Sequence, residues 1–256
     1  MIISKIQGGI GNQLFQWAFA KNLSILNNND FFLDVSFYEN QTNVTKRKFS
    51  LGSFPKINFS ILNPNDLKSF NVLEDNFSIR KIEINKDENF YLDGYWQSEK
   101  NFIESSKIIK EELSPTNEIK KKLELLLPKG INVSLHIRRT DYLSSNGFHP
   151  VLSIDYYIKS LNLIKDYDNI IIFSDDIEWC EKNLTFNNSF FIKNLSDVEN
   201  LWLMSMCNHN IIANSSFSWW GAWLNDNPNK IITAPKKWFG SNINTENIIP
   251  NEWYKL

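Results

Sequence analysis

Read from its residues, the chain is an α/β protein with doubly wound parallel sheets, on three observations. A strand, a glycine turn and a helix open the sequence; strands and helices alternate from Ile131 to the end; and Pro128-Lys129-Gly130 breaks the chain between them. The 256 residues, 42% hydrophobic and 14% aromatic, suffice for one large or two small cores.

The opening unit consists of a strand at residues 1–6, a tight turn at Gly8-Gly9-Ile10-Gly11, and a helix from Asn12 to Leu26. Leu14, Phe15, Ala18, Phe19, Leu23 and Leu26 form its apolar face. Such a turn lets helix N-terminal amides approach an anion, but it also serves as a plain strand-to-helix connection. Gly9-Ile10-Gly11-Asn12-Gln13-Leu14 lacks the third glycine of a dinucleotide fingerprint, and no Walker Lys-Ser/Thr pair follows. A second strand is expected at Phe31 to Val35, a weakly patterned stretch to about Asn76, and further strands at Ile79 to Ile84 and Phe90 to Trp96. The helix from about Asn117 to Leu127 carries Lys120 to Lys122 as a solvated face and ends at the break, which sets domains at 1–128 and 129–256.

Beyond the break, strands are expected at Ile131 to His136, Ile170 to Phe173, Phe190 to Ile192, Ile211 to Ala213 and Ile231 to Thr233. Their C-terminal ends, where a doubly wound sheet binds ligands, carry nearly all the unusual polar residues. In the first of them Val133, Leu135 and Ile137 alternate with Ser134, His136 and Arg138, the pattern of a strand with one polar face. Only Arg47, Arg80, Arg138 and Arg139 are arginine among 27 basic residues, so an adjacent pair is informative. A guanidinium fork suits bidentate phosphate binding, and an ion pair with Asp141 is the competing use. Ser174-Asp175-Asp176 reads as a helix cap or as metal ligands, and Asp166-Tyr167-Asp168 precedes its strand and so falls on the opposite sheet edge. Ser196-Asp197-Val198-Glu199 is a capping box. Asn214, Ser215, Ser216 and Phe217 lead into Trp219, Trp220 and Trp223; the serines cap that helix or hold a phosphate, and the tryptophans are packing residues or a sugar platform.

A formal net charge of −2 gives no broad field for nucleic acid. Cys180 and Cys207 form neither a disulfide framework nor, with His136, His149 and His209, a zinc spacing; no apolar run is long enough to span a bilayer. A cytoplasmic protein without a transmembrane segment is the expectation.

His136-Ile-Arg138-Arg139-Thr-Asp141-Tyr142 resembles the hallmark of fucosyltransferases. Gly8 to Ala18, Asp93 to Glu99 and Ile211 to Leu224 resemble, in the same order, segments of the bacterial α-1,2-fucosyltransferases of glycosyltransferase family 11. The resemblance implies a GT-B-like pair of facing Rossmann-like domains with mainly parallel sheets, the first on the acceptor side and the second binding GDP-fucose. It implies inverting transfer of L-fucose from GDP-β-L-fucose to the 2-hydroxyl of a terminal galactose on a glycan, with no metal or other cofactor. Arg138 is then the diphosphate ligand, and Gly9, Gly11, Asn12, His136, Asn200, Asn214, Ser215, Ser216 and Phe217 join it around the donor. Relatives usually have Asp where this chain has Asn200, so guanine recognition falls to Asn200 or to Glu199. The loop Leu143 to Gly147 lacks the acid that some related enzymes use as base, which leaves Asp141 and His149, each with a structural alternative. A non-catalytic galactoside-binding protein and a nucleotide-dependent oxidoreductase are the rival readings.

Overall fold

In the computed structural model, which describes residues 1–39, 41–42, 45–63, 69–75, 88–241 and 243–256, the first sheet is organised around β1 (Ile2–Lys5). β2 (Phe31–Asp34), β3 (Ser60–Ile61), β4 (Asn71–Glu74) and β5 (Phe90–Asp93) complete it in the order β3-β2-β1-β5-β4, with every pairing parallel. α1 (Ile10–Asn27) starts directly from the glycine turn, two residues earlier than expected. It buries Leu14, Phe15, Ala18, Phe19 and Leu23; Leu26, assigned to the same face, is 55% exposed because it lies in the last turn, past the sheet.

β3 and β4 fall in the weakly patterned stretch and have almost no buried side chain, so they carry no periodic signal to read. The strand expected at Ile79 to Ile84 lies outside the described residues. β5 stops at Asp93, short of Trp96, which turns into the left-handed region (φ 55°) and packs its ring 4.6 Å from that of Phe19. Gly94 makes that turn possible: a Cβ there would lie 2.1 Å from Cβ of Asp75, whose carboxylate accepts the Trp96 N–H at 2.8 Å.

The second sheet is built on β6 (Asn132–Ile137), β7 (Asn169–Ser174), β8 (Ser189–Phe191), β9 (His209–Ile211), β10 (Ile232–Ala234) and β11 (Tyr254–Lys255). Its order is β11-β10-β9-β6-β7-β8, again wholly parallel. The chain winds outward from β6 to β8, then returns to lay β9 against the other side of β6. The strand order therefore reverses between β6 and β9. The connecting helices are α4 (Thr140–Leu143), α5 (Ile154–Ile164), α6 (Ile177–Asn183), α7 (Asp197–Met206) and α8 (Ser216–Trp223).

β6 is buried along its whole length, so the expected polar face does not meet solvent. Asn132 and Ser134 join an amide network instead. Asn210 donates to Ser134 Oγ (2.7 Å), Asn225 to Asn210 Oδ1 (2.7 Å) and Asn169 to Asn132 Oδ1 (3.1 Å), while the Asn132 N–H donates to Asn208 Oδ1 (2.8 Å). Trp219, Trp220 and Trp223 are buried core residues, with Trp219 also against Trp253.

The chain divides into one unit of Met1–Ser114 with Asn244–Pro250, and a second of Pro115–Ile243 with Asn251–Leu256, where 128/129 was expected. α2 (Ser106–Leu113) closes the first unit, and α3 (Asn117–Glu124) belongs to the second. α3 buries Leu123 and pairs Lys122 with Glu199 of α7 at 3.0 Å, which carries the break to the Ser114-Pro115 junction. The fold is α/β and GT-B-like, with a parallel Rossmann-like sheet in each unit.

Candidate functional site

In the second unit the C-terminal ends of β6 and β9 flank the switch point, where an open α/β sheet leaves a crevice. Arg138 follows β6 directly. Its Nε and Nη2 donate to the two oxygens of Asp141 at 2.9 and 2.8 Å, and Nε also lies 3.2 Å from Asp175 Oδ2. Among the described residues no protein acceptor is hydrogen-bonded to Nη1, so the Nη1/Nη2 edge of the fork remains for an anion. The ion pair weighed as the competing use is thus present, but on Arg138, and it occupies one edge only. Arg139 turns the other way: its guanidinium stacks 3.7 Å from the Trp179 ring centroid and pairs with Asp176 at 3.2 Å, a structural arrangement.

His136, 4% exposed, is the penultimate residue of β6, with its ring 5.6 Å from that of Phe217 and its Nδ1 without a hydrogen-bond partner among the described residues. Burial, reinforced by the Arg138 charge, pushes its pKa far below the imidazole range and keeps it neutral. Asn214 donates to the carbonyls of Pro150 (3.1 Å) and Trp238 (3.0 Å), while its buried Oδ1 has no partner among the described residues. Tyr142 Oη donates to the Asn214 carbonyl at 2.7 Å, which ties α4, just after Arg138, to the start of α8. Ser215 is the N-cap of α8 but makes no side-chain cap bond, so the amides of Ser216 and Phe217 open the helix uncapped beside β6.

His149 is half-buried in an aromatic setting: Tyr142 stacks on it at 4.7 Å, and Phe148 and Phe239 lie at 4.8 and 5.4 Å. Its Nδ1 is buried and has no hydrogen-bond partner among the described residues, and burial lowers its pKa, so the ring is neutral near pH 7. Asp141, the other base candidate, has both carboxylate oxygens on Arg138.

The capping box forms as expected. Glu199 accepts from the Ser196 N–H (2.9 Å), the Ser196 hydroxyl (2.8 Å) and Lys122 (3.0 Å), and those Ser196 bonds hold its pKa down to about 2. Its carboxylate is therefore committed to the helix start. Asn200 donates from Nδ2 to the carbonyls of Leu195 (3.1 Å) and Ser196 (3.0 Å), which turns that side of the amide inward.

The cap expected at Ser174 is supplied by Asp176, whose Oδ1 accepts the Trp179 N–H at 3.3 Å. Asp168 of the Asp-x-Asp lies on the opposite sheet edge, accepting the Ile131 N–H at 2.7 Å. Among the described residues no group of three or more His, Cys, Asp or Glu side chains could hold a metal ion, and no helix is long and apolar enough to cross a membrane.

In the first unit the glycine turn sits at the end of β1, beside β5. Gly8 has φ 79°, and its carbonyl accepts from Tyr38 Oη (3.0 Å) and Gln13 Nε2 (3.1 Å). Gly9 caps α1 without a side chain, Gly11 is buried in the first turn, and Asn12 accepts from Gln97 at 2.8 Å. Arg47, passed over in the sequence, sits over this turn, with Nε 3.9 Å from where a Cβ on Gly9 would stand. Its scarcity among lysines was the signal that could have singled it out.

The sequence pattern described as Glycosyl transferase family 11 matches residues 4–256. An alpha-1,2-colitosyltransferase of Escherichia coli is 32% identical over 289 aligned positions, covering 100% of this chain and 99% of the relative. The O-antigen biosynthesis glycosyltransferase WbnK of Escherichia coli is 31% identical, covering 99% of each. Among solved structures, the fucosyltransferase NodZ from Bradyrhizobium superposes with a TM-score of 0.57 at 11% identity, over 86% of this chain and 91% of its own. NodZ alpha-1,6-fucosyltransferase soaked with GDP-fucose gives 0.53 at 11%, over 87% and 91%. At that identity the structures speak for the fold, and the sequence matches along the whole length speak for the family: the chain belongs to glycosyltransferase family 11.

Proposed function

We propose that the protein is an inverting α-1,2-fucosyltransferase, transferring L-fucose from GDP-β-L-fucose to the 2-hydroxyl of a terminal galactose. The observation that carries this reading is Arg138 at the β6/β9 switch point, one edge of its fork held by Asp141 and the other left for a diphosphate. As the bond from the sugar C1 to the diphosphate breaks, negative charge grows on the leaving oxygen. A fixed guanidinium edge and the uncapped amides of α8 stabilise that charge without a metal ion. His149, which burial keeps neutral, takes the proton of the attacking hydroxyl; Asp141 serves as the aligner of Arg138.

The second unit is then the donor side, with His136, Asn200, Asn214, Ser215, Ser216 and Phe217 around the nucleotide sugar. The first is the acceptor side, and its glycine turn carries Gly9, Gly11 and Asn12. The partners are GDP-fucose and a galactose-terminated glycan, with no nucleic acid, and the reaction belongs in the cytoplasm. A second donor is favoured by one finding: the relative at 32% identity is named for colitose, the 3-deoxy counterpart of L-fucose. Incubation of GDP-fucose and GDP-colitose in parallel with a panel of galactosides, followed by linkage analysis, tests both. Transfer of fucose to the galactose 2-hydroxyl supports the first reading, colitose transfer alone the second, and a different linkage or no transfer refutes both.

A further inference from the structure

Asp175, at the end of β7, has no assigned part in the reaction, yet one carboxylate organises the whole turn that carries Arg138. β7 pairs with β6 in register, Ile137 opposite Ser174, so Asp175 emerges level with Arg138. Its Oδ1 accepts the Arg139 N–H at 2.9 Å. Its Oδ2 accepts the Thr140 N–H at 3.1 Å and, in a very short contact, the Thr140 hydroxyl, and it lies 3.2 Å from Arg138 Nε. The side chain is 16% exposed, and so is sheltered enough for these contacts to matter. Neighbouring Asp176 does different work, pairing with Arg139 and capping α6.

We propose that Asp175 is a positioning residue for the donor: it fixes the Arg138-Arg139-Thr140 turn and the Nε side of the guanidinium, so that the Nη1/Nη2 edge is presented to the diphosphate before the nucleotide arrives. The proposal rests on the reading of Arg138 as diphosphate ligand. A guanidinium on a free four-bond stem loses rotamer freedom when it binds, and a carboxylate that has already ordered it removes that cost from binding.

The test is calorimetric titration of GDP into wild type, Asp175→Asn, Thr140→Val, Arg138→Lys and the double variant Asp175→Asn/Arg138→Lys, with a melting curve for each. Asp175→Asn is isosteric, but its carboxamide has a single acceptor oxygen, so it can serve either the two Thr140 donors or the Arg139 N–H and brings no negative charge to Nε; we expect GDP to bind roughly tenfold more weakly, about 1.4 kcal/mol. Thr140→Val removes one of the hydroxyl and amide contacts and no charge, and should weaken GDP binding about two- to threefold. Because Asp175 acts through Arg138, its effect should nearly vanish in the Arg138→Lys background, a non-additivity that general loosening of the fold would not produce. Wild-type affinity in Asp175→Asn overturns the proposal. So does a loss of equal size in both backgrounds, which would make Asp175 a residue of the fold alone, and if Asp175→Asn fails to fold, wild-type affinity in Thr140→Val does the same. Failure of the underlying reading looks different: Arg138→Lys would then bind GDP as wild type does, whatever Asp175→Asn does.

Discussion

Replacing Asn200 by Asp sets the fold against the donor site. In wild type the carboxamide gives Nδ2 hydrogens to the carbonyls of Leu195 and Ser196 at the start of α7, at 3.1 and 3.0 Å, the second of which also accepts the Asn200 N–H. A carboxylate in the same pose would lose both bonds, roughly 0.5–1.5 kcal/mol each, and put an oxygen against two oxygens. Negative charge in the first turns of a helix recovers about 0.3–1 kcal/mol. The balance is a destabilisation of about 1–2 kcal/mol, or a melting temperature lower by roughly 2–8 °C for a chain of this size. Escaping the carbonyls, the carboxylate turns outward, where it offers two charge-assisted acceptors to the guanine N1–H and 2-amino group in place of the single Oδ1 of Asn. GDP should then bind about tenfold tighter relative to ADP. Calorimetry with both nucleotides and a thermal melt read the two effects separately. An unchanged melting temperature would refute the role given to the amide, and an unchanged GDP/ADP ratio would remove position 200 from guanine recognition.

Arg138→Lys should keep the charge and the fold but lower turnover by about 10²-fold or more, because an ammonium cannot hold Asp141 and a phosphate along two edges; near-normal kcat would contradict the assignment. His149→Gln should cost about 10²–10⁴ in kcat. With the folded-state pKa of His149 below 6.5, wild-type activity should fall only as the pH drops beneath that value, and the acid limb should disappear in the variant. Turnover should survive exhaustive EDTA treatment; loss that only Mn²⁺ or Mg²⁺ restores would overturn the metal-free mechanism. Glu199 has a folded-state pKa near 2 against an ordinary 4.5, so its contribution to stability is present above pH 4.5 and lost as the pH falls toward 2. Acid denaturation of Glu199→Gln should lack that component.

Wherever one side chain type on one element carries the chemistry, the sequence was readable. Arg138 stood out against a lysine background, and the strand-turn-helix at Gly8 to Gly11 declared itself through local spacing. What stayed hidden depends on the other strand. Nothing in His-x-Arg-Arg-x-Asp says that Asp141 folds back onto Arg138 rather than Arg139, or that Asp175, thirty-seven positions beyond Arg138, holds the same turn. Those facts come from the register of β6 against β7. Edge strands such as β3 escaped because exposed side chains leave no pattern, and the domain break was misplaced because Leu123 of α3 reads alike whichever core receives it.

The asparagine network under β6 bears on how the second unit finds its strand order. Asn132 bonds to Asn169 and Asn208, and Asn210 to Ser134, so these amides find their partners only when β7 and β9 lie on their proper sides of β6, and Asn225 extends the network from Asn210. Apolar strands rich in isoleucine tolerate a two-residue slip, since the same faces stay greasy. Buried amides do not, because each one left unpaired costs about 1–3 kcal/mol. A misregistered sheet would strand several of them at once, so an asparagine bias that looks like mere codon drift acts here as a proofreading device, selecting during folding the one alignment that brings the ends of β6 and β9 together.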